Sequence, residues 1–355
     1  MSDCTKQLLD RLEQDHALPL DEYAALLRGW THEDAAYAAE KARCTCDRVY
    51  GDAVYIRGLI EVSNICRNDC LYCGIRRSNR NCTRYRLTAD QIMSCCREGY
   101  ALGFRTFVLQ GGETGESDID AVCALVLSIK AEFPDCAVTL SLGEYPTEAY
   151  QAMFDAGGDR YLLRHETADR AHYRSLHPPD MSFDHRMQCL YDLKRIGFQV
   201  GCGFMVGSPG QTVETLAQDL KFVETFSPAM CGIGPFIPHK DTPFGGEPAG
   251  SVELTLYLLS ILRLIRPALL LPATTALGTL RPDGREQGML AGANVVMPNL
   301  SPPDAREKYT LYNGKLHSGV ESAQHVADLK ARMAAIGCRV VTDRGDHISQ
   351  NTTTL

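Results

Sequence analysis

The chain has 355 residues, 45% of them hydrophobic, and 44 acidic against 36 basic side chains give a formal net charge of −8. That balance excludes nucleic acid and anionic membrane surfaces as partners, since neither polyanion attracts a net acidic chain. No apolar stretch reaches the roughly 18 residues of a membrane span; the nearest, LTLYLLSILRLI (254 to 265), is too short and carries Arg263.

In chain order, residues 1–47 read as a helical N-terminal extension. MSDCTKQLLDRLEQD is charged and lacks the apolar core of a secretory leader, so a cytoplasmic location is expected. From 48 to 300, short apolar runs alternate with amphipathic stretches. The runs are AVYIRGLIEV, RTFVLQ, AVTLSL, RYLLRH, FQVGCGFMVG, MCGIGPFI, LLLPATT and ANVVMP, each of a length and composition suited to a buried strand. Between them TADQIMSCCREGYALG predicts a helix capped at Thr88 and closed at Gly103. TVETLAQDLKFVETF and SVELTLYLLSILRLI predict two more. Residues 301–355 read as a short closing segment with one helix near 321 to 336. Eight strands alternating with helices predict an α/β fold, a (β/α)8 TIM-type barrel; a doubly wound sheet gives the same alternation. Polar and small residues recur at the predicted strand ends, where a barrel gathers its chemistry.

The fifteen cysteines are an odd number on a long chain, unlike a secreted disulfide scaffold. Cys95, Cys96, Cys123, Cys136, Cys189, Cys202 and Cys231 sit among apolar residues and read as reduced, buried small hydrophobes of a reducing, anaerobic setting. Cys66, Cys70 and Cys73 differ, forming C-x-x-x-C-x-x-C within SNICRNDCLYCGIRRSN. A structural zinc site would need a fourth ligand from elsewhere, and a redox disulfide would leave Cys66 idle. Three thiolates on a 4Fe–4S cluster would leave one iron open to a chelating ligand. Arg76, Arg77, Arg80, Arg84 and Arg86 follow directly and read as a cluster serving an anionic ligand. Arg164 and Glu166 alternate along one extended segment, so they face the same way. An Arg–Glu pair closing the strand end is the plain alternative, and His165 between them reads as packing.

The cysteine spacing on the loop after the first barrel strand, with aromatic Tyr72 and the later GGE, resembles the radical S-adenosylmethionine superfamily. CLYCGIRRSN, RYRLT, VTLSLGEYP, DRYLLRHET, GSPGQT, GIGPFIPH, LPATTALGT and GANVVMPN, in order over residues 55 to 315, resemble the FeFe-hydrogenase maturases of that superfamily. The resemblance implies one 4Fe–4S cluster on Cys66, Cys70 and Cys73. It also implies S-adenosylmethionine contacts from Tyr72, Gly111, Gly112, Glu113, Ser141, Glu166, Arg186, Met205 and the backbone around Ile233. A substrate cavity is implied at Arg57, Gln110, Thr139, Arg164, Thr274, Thr275 and Tyr309. The implied task is radical chemistry on a small cysteine-bound iron carbonyl–cyanide precursor of the two-iron hydrogenase subcluster, alongside other hydrogenase maturases and an electron donor. A radical mutase or sulfur-handling enzyme of the methylornithine synthase and biotin synthase group is the alternative enzyme, and an amino-acid-like substrate its counterpart. A zinc-stabilised binding module is the alternative outside enzymes. Some maturases carry further C-terminal cysteines for a second cluster; here that stretch holds only Cys338, with His317 and His325, so a single cluster is expected.

Overall fold

The structure, a computed structural model, describes residues 3–316 and 323–348; His317 lies outside them. Eleven strands are found among these residues: β1 Ala53–Ile56, β2 Gly58–Ser63, β3 Thr106–Gly111, β4 Ala137–Ser141, β5 Arg160–Leu162, β6 Gln199–Cys202, β7 Met205–Val206, β8 Met230–Cys231, β9 Gly234–Pro235, β10 Val295–Val296 and β11 Arg339–Val341. Six form one parallel sheet in the order β2-β3-β4-β5-β6-β8. Single parallel bridges carry it onward, Met230 to Leu270 and Pro272 to Val295, and Leu59 to Asn299 returns it to β2. The last join is held by Leu59 N–H to the Pro298 carbonyl (2.9 Å) and Leu300 N–H to the Leu59 carbonyl (2.7 Å). Eight parallel staves therefore close into the expected barrel.

Two expected strands differ in detail. AVYIRGLIEV breaks at Arg57: β1 pairs with β10 and β11, and β2 pairs with β3. LLLPATT makes only isolated bridges, because Pro272 has no N–H to donate to a ladder. The helices start where caps predict. Thr88 and Thr212 close capping boxes before Ala89–Ala101 and Val213–Phe226, and Ser251 accepts the Leu254 N–H before Val252–Ile265. Gly103 takes φ +94° just past the first of these, a conformation costly for any residue with a Cβ.

The N-terminal helices Asp3–Asp15, Leu20–Leu27 and His32–Tyr50 lie on the outer ring. Trp30 stacks on Tyr257 at 5.1 Å, and the Tyr23 hydroxyl donates to Glu224 at 2.7 Å. The C-terminal helix Val326–Ala335 leads into β11, beside β1. Residues 343–347 then run across the N-terminal mouth of the barrel, where Arg160, fully buried, donates to the Arg344 carbonyl (2.8 Å) and to Asp346 (2.6 Å). No helix among the described residues is long and apolar enough to cross a membrane.

Candidate active site

At the C-terminal mouth a cavity of about 370 Å³ opens between the barrel strands and the loop that follows β2. That loop is irregular, so its backbone carbonyls need donors from side chains. Arg84 supplies them, donating to the carbonyls of Asn64 (2.6 Å), Ile75 (2.7 Å), Arg76 (2.6 Å) and Asn79 (3.2 Å). Buried Asn64 ties the loop's base to Thr83 and Lys308, each at 2.8 Å. Asp69 gathers Arg76 Nε (2.7 Å) and the Ser78 N–H (3.0 Å). The arginine run thus serves no ligand inside the cavity: Arg76 and Arg84 fasten the loop, Arg86 pairs with Asp118 at 2.6 Å, Arg77 and Arg80 are exposed, and none of the five lines the cavity. Loop carbonyls without a helix or sheet partner account for the difference.

So held, Cys66, Cys70 and Cys73 all line the cavity and are free thiols, each partly buried. Burial raises all three pKa values, Cys73 to about 12, and the neighbouring sulfurs raise Cys70 and Cys73 further. Ionised together in one cavity, three thiolates would need a cationic partner. Among the described residues no three His, Cys, Asp or Glu side chains converge to hold a single metal ion, so a closed zinc site does not fit. Three free thiols lining one cavity are the donor set that would hold a multi-iron cluster at its corners.

Across from the thiols lies the end of β3. A Cβ on Gly112 would stand 2.2 Å from the Ile65 carbonyl oxygen and 2.8 Å from Cys66 Cβ, so only glycine lets the two segments touch. Glu113 is buried, with its carboxylate between Arg67 Nε (2.8 Å) and the Glu144 N–H (2.8 Å). Glu144 in turn pairs with Arg186, whose Nη1 donates to the Arg164 carbonyl at 2.7 Å. Burial opposes the Arg186 charge, but Glu144 overcomes it and holds the guanidinium firmly protonated. The Tyr72 hydroxyl meets His177 Nε2 at 3.2 Å. Since His177 Nδ1 lies 2.9 Å from the Tyr173 carbonyl and must donate there, Nε2 accepts. Burial, helped by Arg186, lowers the His177 pKa to about 3, so the ring stays neutral.

Glu166 stands out. It is a buried acid with φ +65°, and among the described residues its Oε2 has no hydrogen-bond partner. A strained, unpartnered carboxylate facing a cavity marks a ligand position. Arg164 also lines the cavity, but no bond joins it to Glu166, and among the described residues its guanidinium has no hydrogen-bond partner. Between them His165 is fully buried, set between Asp219 (3.2 Å) and the Gly203 N–H (3.3 Å), and belongs to packing as read from the sequence.

Gly111, Ser141, Met205, Gln110, Thr274, Thr275, Tyr309 and Arg57 also line the cavity. Among the described residues, Thr274 Oγ1 is buried without a partner. Gln110 Nε2 reaches the Tyr309 hydroxyl at 3.3 Å. Arg57, buried, donates to Met230 Sδ (2.8 Å) and the Gly345 carbonyl (3.4 Å), and its Nε is unpartnered. Burial, then neighbouring Arg160, depresses its pKa well below the usual range. Two expected residues do not reach the cavity. Thr139 shares the inward face of β4 with Ser141 but lies one layer deeper. Ile233 turns into the hydrophobic core while Gly232, Gly234, Pro235 and Phe236 form the wall.

Sequence reasoning missed Glu61 and Lys315, which pair inside the cavity, Lys315 also donating to the Tyr309 carbonyl at 2.9 Å. It also missed the tying roles of Arg67 and Glu144. Glu144 stands at a predicted strand end in SLGEYP, which was the available signal. Nothing local marks Lys315, whose partner is 254 residues away.

A closed parallel barrel with three clustered thiols on the loop after its first inner strand defines a radical S-adenosylmethionine enzyme, a class that uses S-adenosylmethionine and an iron–sulfur cluster. Residues 60–223 match the family model described as the Radical SAM superfamily. The chain belongs to the family of the FeFe-hydrogenase maturase subunit HydE: it is 48% identical over 266 residues to that protein of Thermotoga maritima, covering 75% of this chain and 76% of the relative. It is 28% identical over 299 residues to the 3-methylornithine synthase of Methanosarcina barkeri, covering 84% and 83%. Among solved structures, a methylornithine synthase superposes with TM-score 0.82 at 26% identity, over 94% of this chain and 97% of that one. The maturase HydG from Carboxydothermus hydrogenoformans, at TM-score 0.79 and 19% identity over 94% and 78%, shares the fold.

Proposed function

We propose that this protein holds one 4Fe–4S cluster on Cys66, Cys70 and Cys73, binds S-adenosylmethionine at the open iron, and acts on a small cysteine-bound iron carbonyl–cyanide complex in assembly of the two-iron subcluster of FeFe-hydrogenase. Residues 48–300 would form the catalytic barrel, 1–47 its helical extension and 301–355 its closing segment. Other hydrogenase maturases would supply the precursor and take the product. When bound, the cluster and S-adenosylmethionine supply a one-electron reductive cleavage that yields a carbon radical.

The chain's own residues position the reactants. Gly112 brings the end of its strand against Cys66, and Ser141 and the Glu166 carboxylate accept hydrogen bonds from S-adenosylmethionine donors. Arg186, fixed by Glu144, keeps donors toward the ligand's carboxylate. Met205, Phe236 and Tyr72 exclude water. Deeper in, Arg164 and Arg57 take the anionic substrate, with Thr274 as a hydroxyl partner.

The observation that carries this reading is the pairing within one cavity: three thiols at its rim and two incompletely partnered arginines further in. The likeness to methylornithine synthase favours a radical mutase as the second reading, and the higher identity to HydE places it second. Anaerobic reconstitution with reductant tests both. The expected result is about four irons per chain, cleavage of S-adenosylmethionine to a nucleoside product, and stimulation by the iron–cysteine complex rather than by an amino acid. Cys70→Ala should lose cluster and cleavage together. Retained turnover in that variant defeats the cluster assignment, and about six to eight irons defeats the single cluster.

A further inference from the structure

The turn that carries Glu166 is gripped from behind the cavity wall by a single carboxylate. Asp219 projects from the helix Val213–Phe226 and is fully buried. Its Oδ1 accepts the Ala168 N–H at 2.6 Å and meets His165 Nε2 at 3.2 Å. The Gly203 N–H, which can only donate, faces His165 Nδ1 at 3.3 Å. Nδ1 therefore accepts, and Nε2 carries the proton that it donates to Asp219. The Gly203 carbonyl in turn accepts the Glu166 N–H at 3.0 Å. Residues 165 and 168 are thus tied to one oxygen, and residues 165 and 166 to one glycine. Between these ties Glu166 sits at φ +65°. Strained backbone of this kind persists only where its surroundings over-determine it.

Stability does not ask for a carboxylate at this place. Burial raises the Asp219 pKa against the pull of His165 and the Ala168 N–H, and among the described residues its Oδ2 has no partner. Replacing such a buried group by an apolar one is often neutral or stabilising. Neither Asp219 nor His165 lines the cavity, whereas Glu166 does.

We infer that Asp219, through His165 and the Ala168 N–H, is a positioning residue for S-adenosylmethionine: it clamps residues 165–168 so that Glu166 is held left-handed with its carboxylate in the cavity wall. The inference rests on the reading of Glu166 as an S-adenosylmethionine contact. Without the grip the turn relaxes, and the carboxylate leaves the place where the ligand's donors meet it.

The test measures S-adenosylmethionine affinity on the reconstituted full chain. Asp219→Ala should weaken binding about tenfold or more. His165→Phe should do the same, and it decides the matter if Asp219→Ala does not fold. Its ring still packs between Phe204 and Phe222, which lie 5.8 and 4.7 Å from the His165 ring, so the packing stays and the hydrogen bonds go. In the Glu166→Gly background there is neither a carboxylate to aim nor strain to hold, so there either substitution should cost less than about threefold. A crystal structure of His165→Phe should show Glu166 outside the left-handed region. Binding within about threefold of wild type in the folded single variants overturns the proposal, as does an undiminished loss in the Glu166→Gly background. Wild-type protein that binds no S-adenosylmethionine defeats the reading of the site instead, and Glu166 still left-handed in the His165→Phe crystal structure then overturns the clamp as well.

Discussion

The two mouths of the barrel treat polar groups in opposite ways. At the N-terminal mouth Asp346 accepts from Arg160 (2.6 Å), Gln199 (3.0 Å) and Arg344 (2.8 Å), and Arg344 also reaches Asp159 at 2.8 Å. The Thr106 hydroxyl donates to the Arg344 carbonyl at 2.7 Å. At the C-terminal mouth, among the described residues, Glu166 Oε2 and Thr274 Oγ1 are buried without partners and the Arg164 guanidinium lines the cavity unpaired. A buried polar group left unpaired costs about 1–3 kcal/mol. One end has been closed for stability; the other keeps that cost in place, which is reasonable only where a ligand supplies the missing bonds. Substitutions at the two ends should therefore fail in different assays.

The largest effect is expected at Arg164. If Arg164 takes the anionic substrate as proposed, Arg164→Leu removes a charge-assisted contact of about 1.5–3 kcal/mol, or roughly ten- to 150-fold in substrate affinity. Thermal stability should hold, because no protein partner is lost. S-adenosylmethionine affinity, measured by calorimetry on the same sample, should stay near wild type. An equal loss of both affinities would assign Arg164 to the cofactor, and a fall in melting temperature would erase the contrast between the mouths.

At the other end Asp346→Asn should cost stability and leave S-adenosylmethionine binding intact. Removing one partner of a fully buried pair costs about 3–5 kcal/mol; Asp346 is 40% exposed, so about 1–2 kcal/mol is expected from denaturant unfolding at neutral pH. Burial alone would raise the Asp346 pKa, but Arg344 and Arg160 outweigh it and hold the carboxyl at about 2, against an ordinary 3.8. A pKa lowered on folding stabilises above the unfolded value and is lost as pH falls through the folded one. The stability gap between wild type and variant should therefore be complete above about pH 4 and close toward pH 2. A gap that does not change over that window would remove the carboxylate from the network.

The contrast also separates what local sequence can tell from what it cannot. The barrel was legible because a buried parallel strand must be a short apolar run, and the helices because Thr88, Thr212 and Ser251 are capping residues in the right places. The thiols were legible because Cys66, Cys70 and Cys73 stand within eight residues of one short loop, a spacing that shows in the sequence itself. Arg76, Arg84 and Arg86 after them were misread, since a charge run looks the same whether it binds an anion or ties a loop to its own carbonyls and carboxylates. Glu61 with Lys315, and Arg160 with Asp346, join residues 254 and 186 positions apart. Each looks like an ordinary surface charge until the chain folds, and only the closed barrel brings them together.

The smallest effect on stability is expected at the residue of greatest interest. Glu166 has φ +65°, a left-handed conformation that costs a residue with a Cβ roughly 1–2 kcal/mol. Glycine adopts it freely but loses about 0.5–1 kcal/mol through the entropy of the unfolded chain. The two terms nearly cancel, so Glu166→Gly should unfold within about 1 kcal/mol of wild type. It also removes a buried oxygen without a partner among the described residues, which tips the balance toward a slightly more stable protein. S-adenosylmethionine affinity should nonetheless fall, because the lost carboxylate is the acceptor aimed into the cavity. Glu166→Gln, which keeps the backbone strain and one acceptor oxygen, should bind with intermediate affinity. A Glu166→Gly protein several kcal/mol less stable than wild type would mean that the carboxylate holds the strand end together, and the distinction between an open mouth and a closed one would fail at its strongest point.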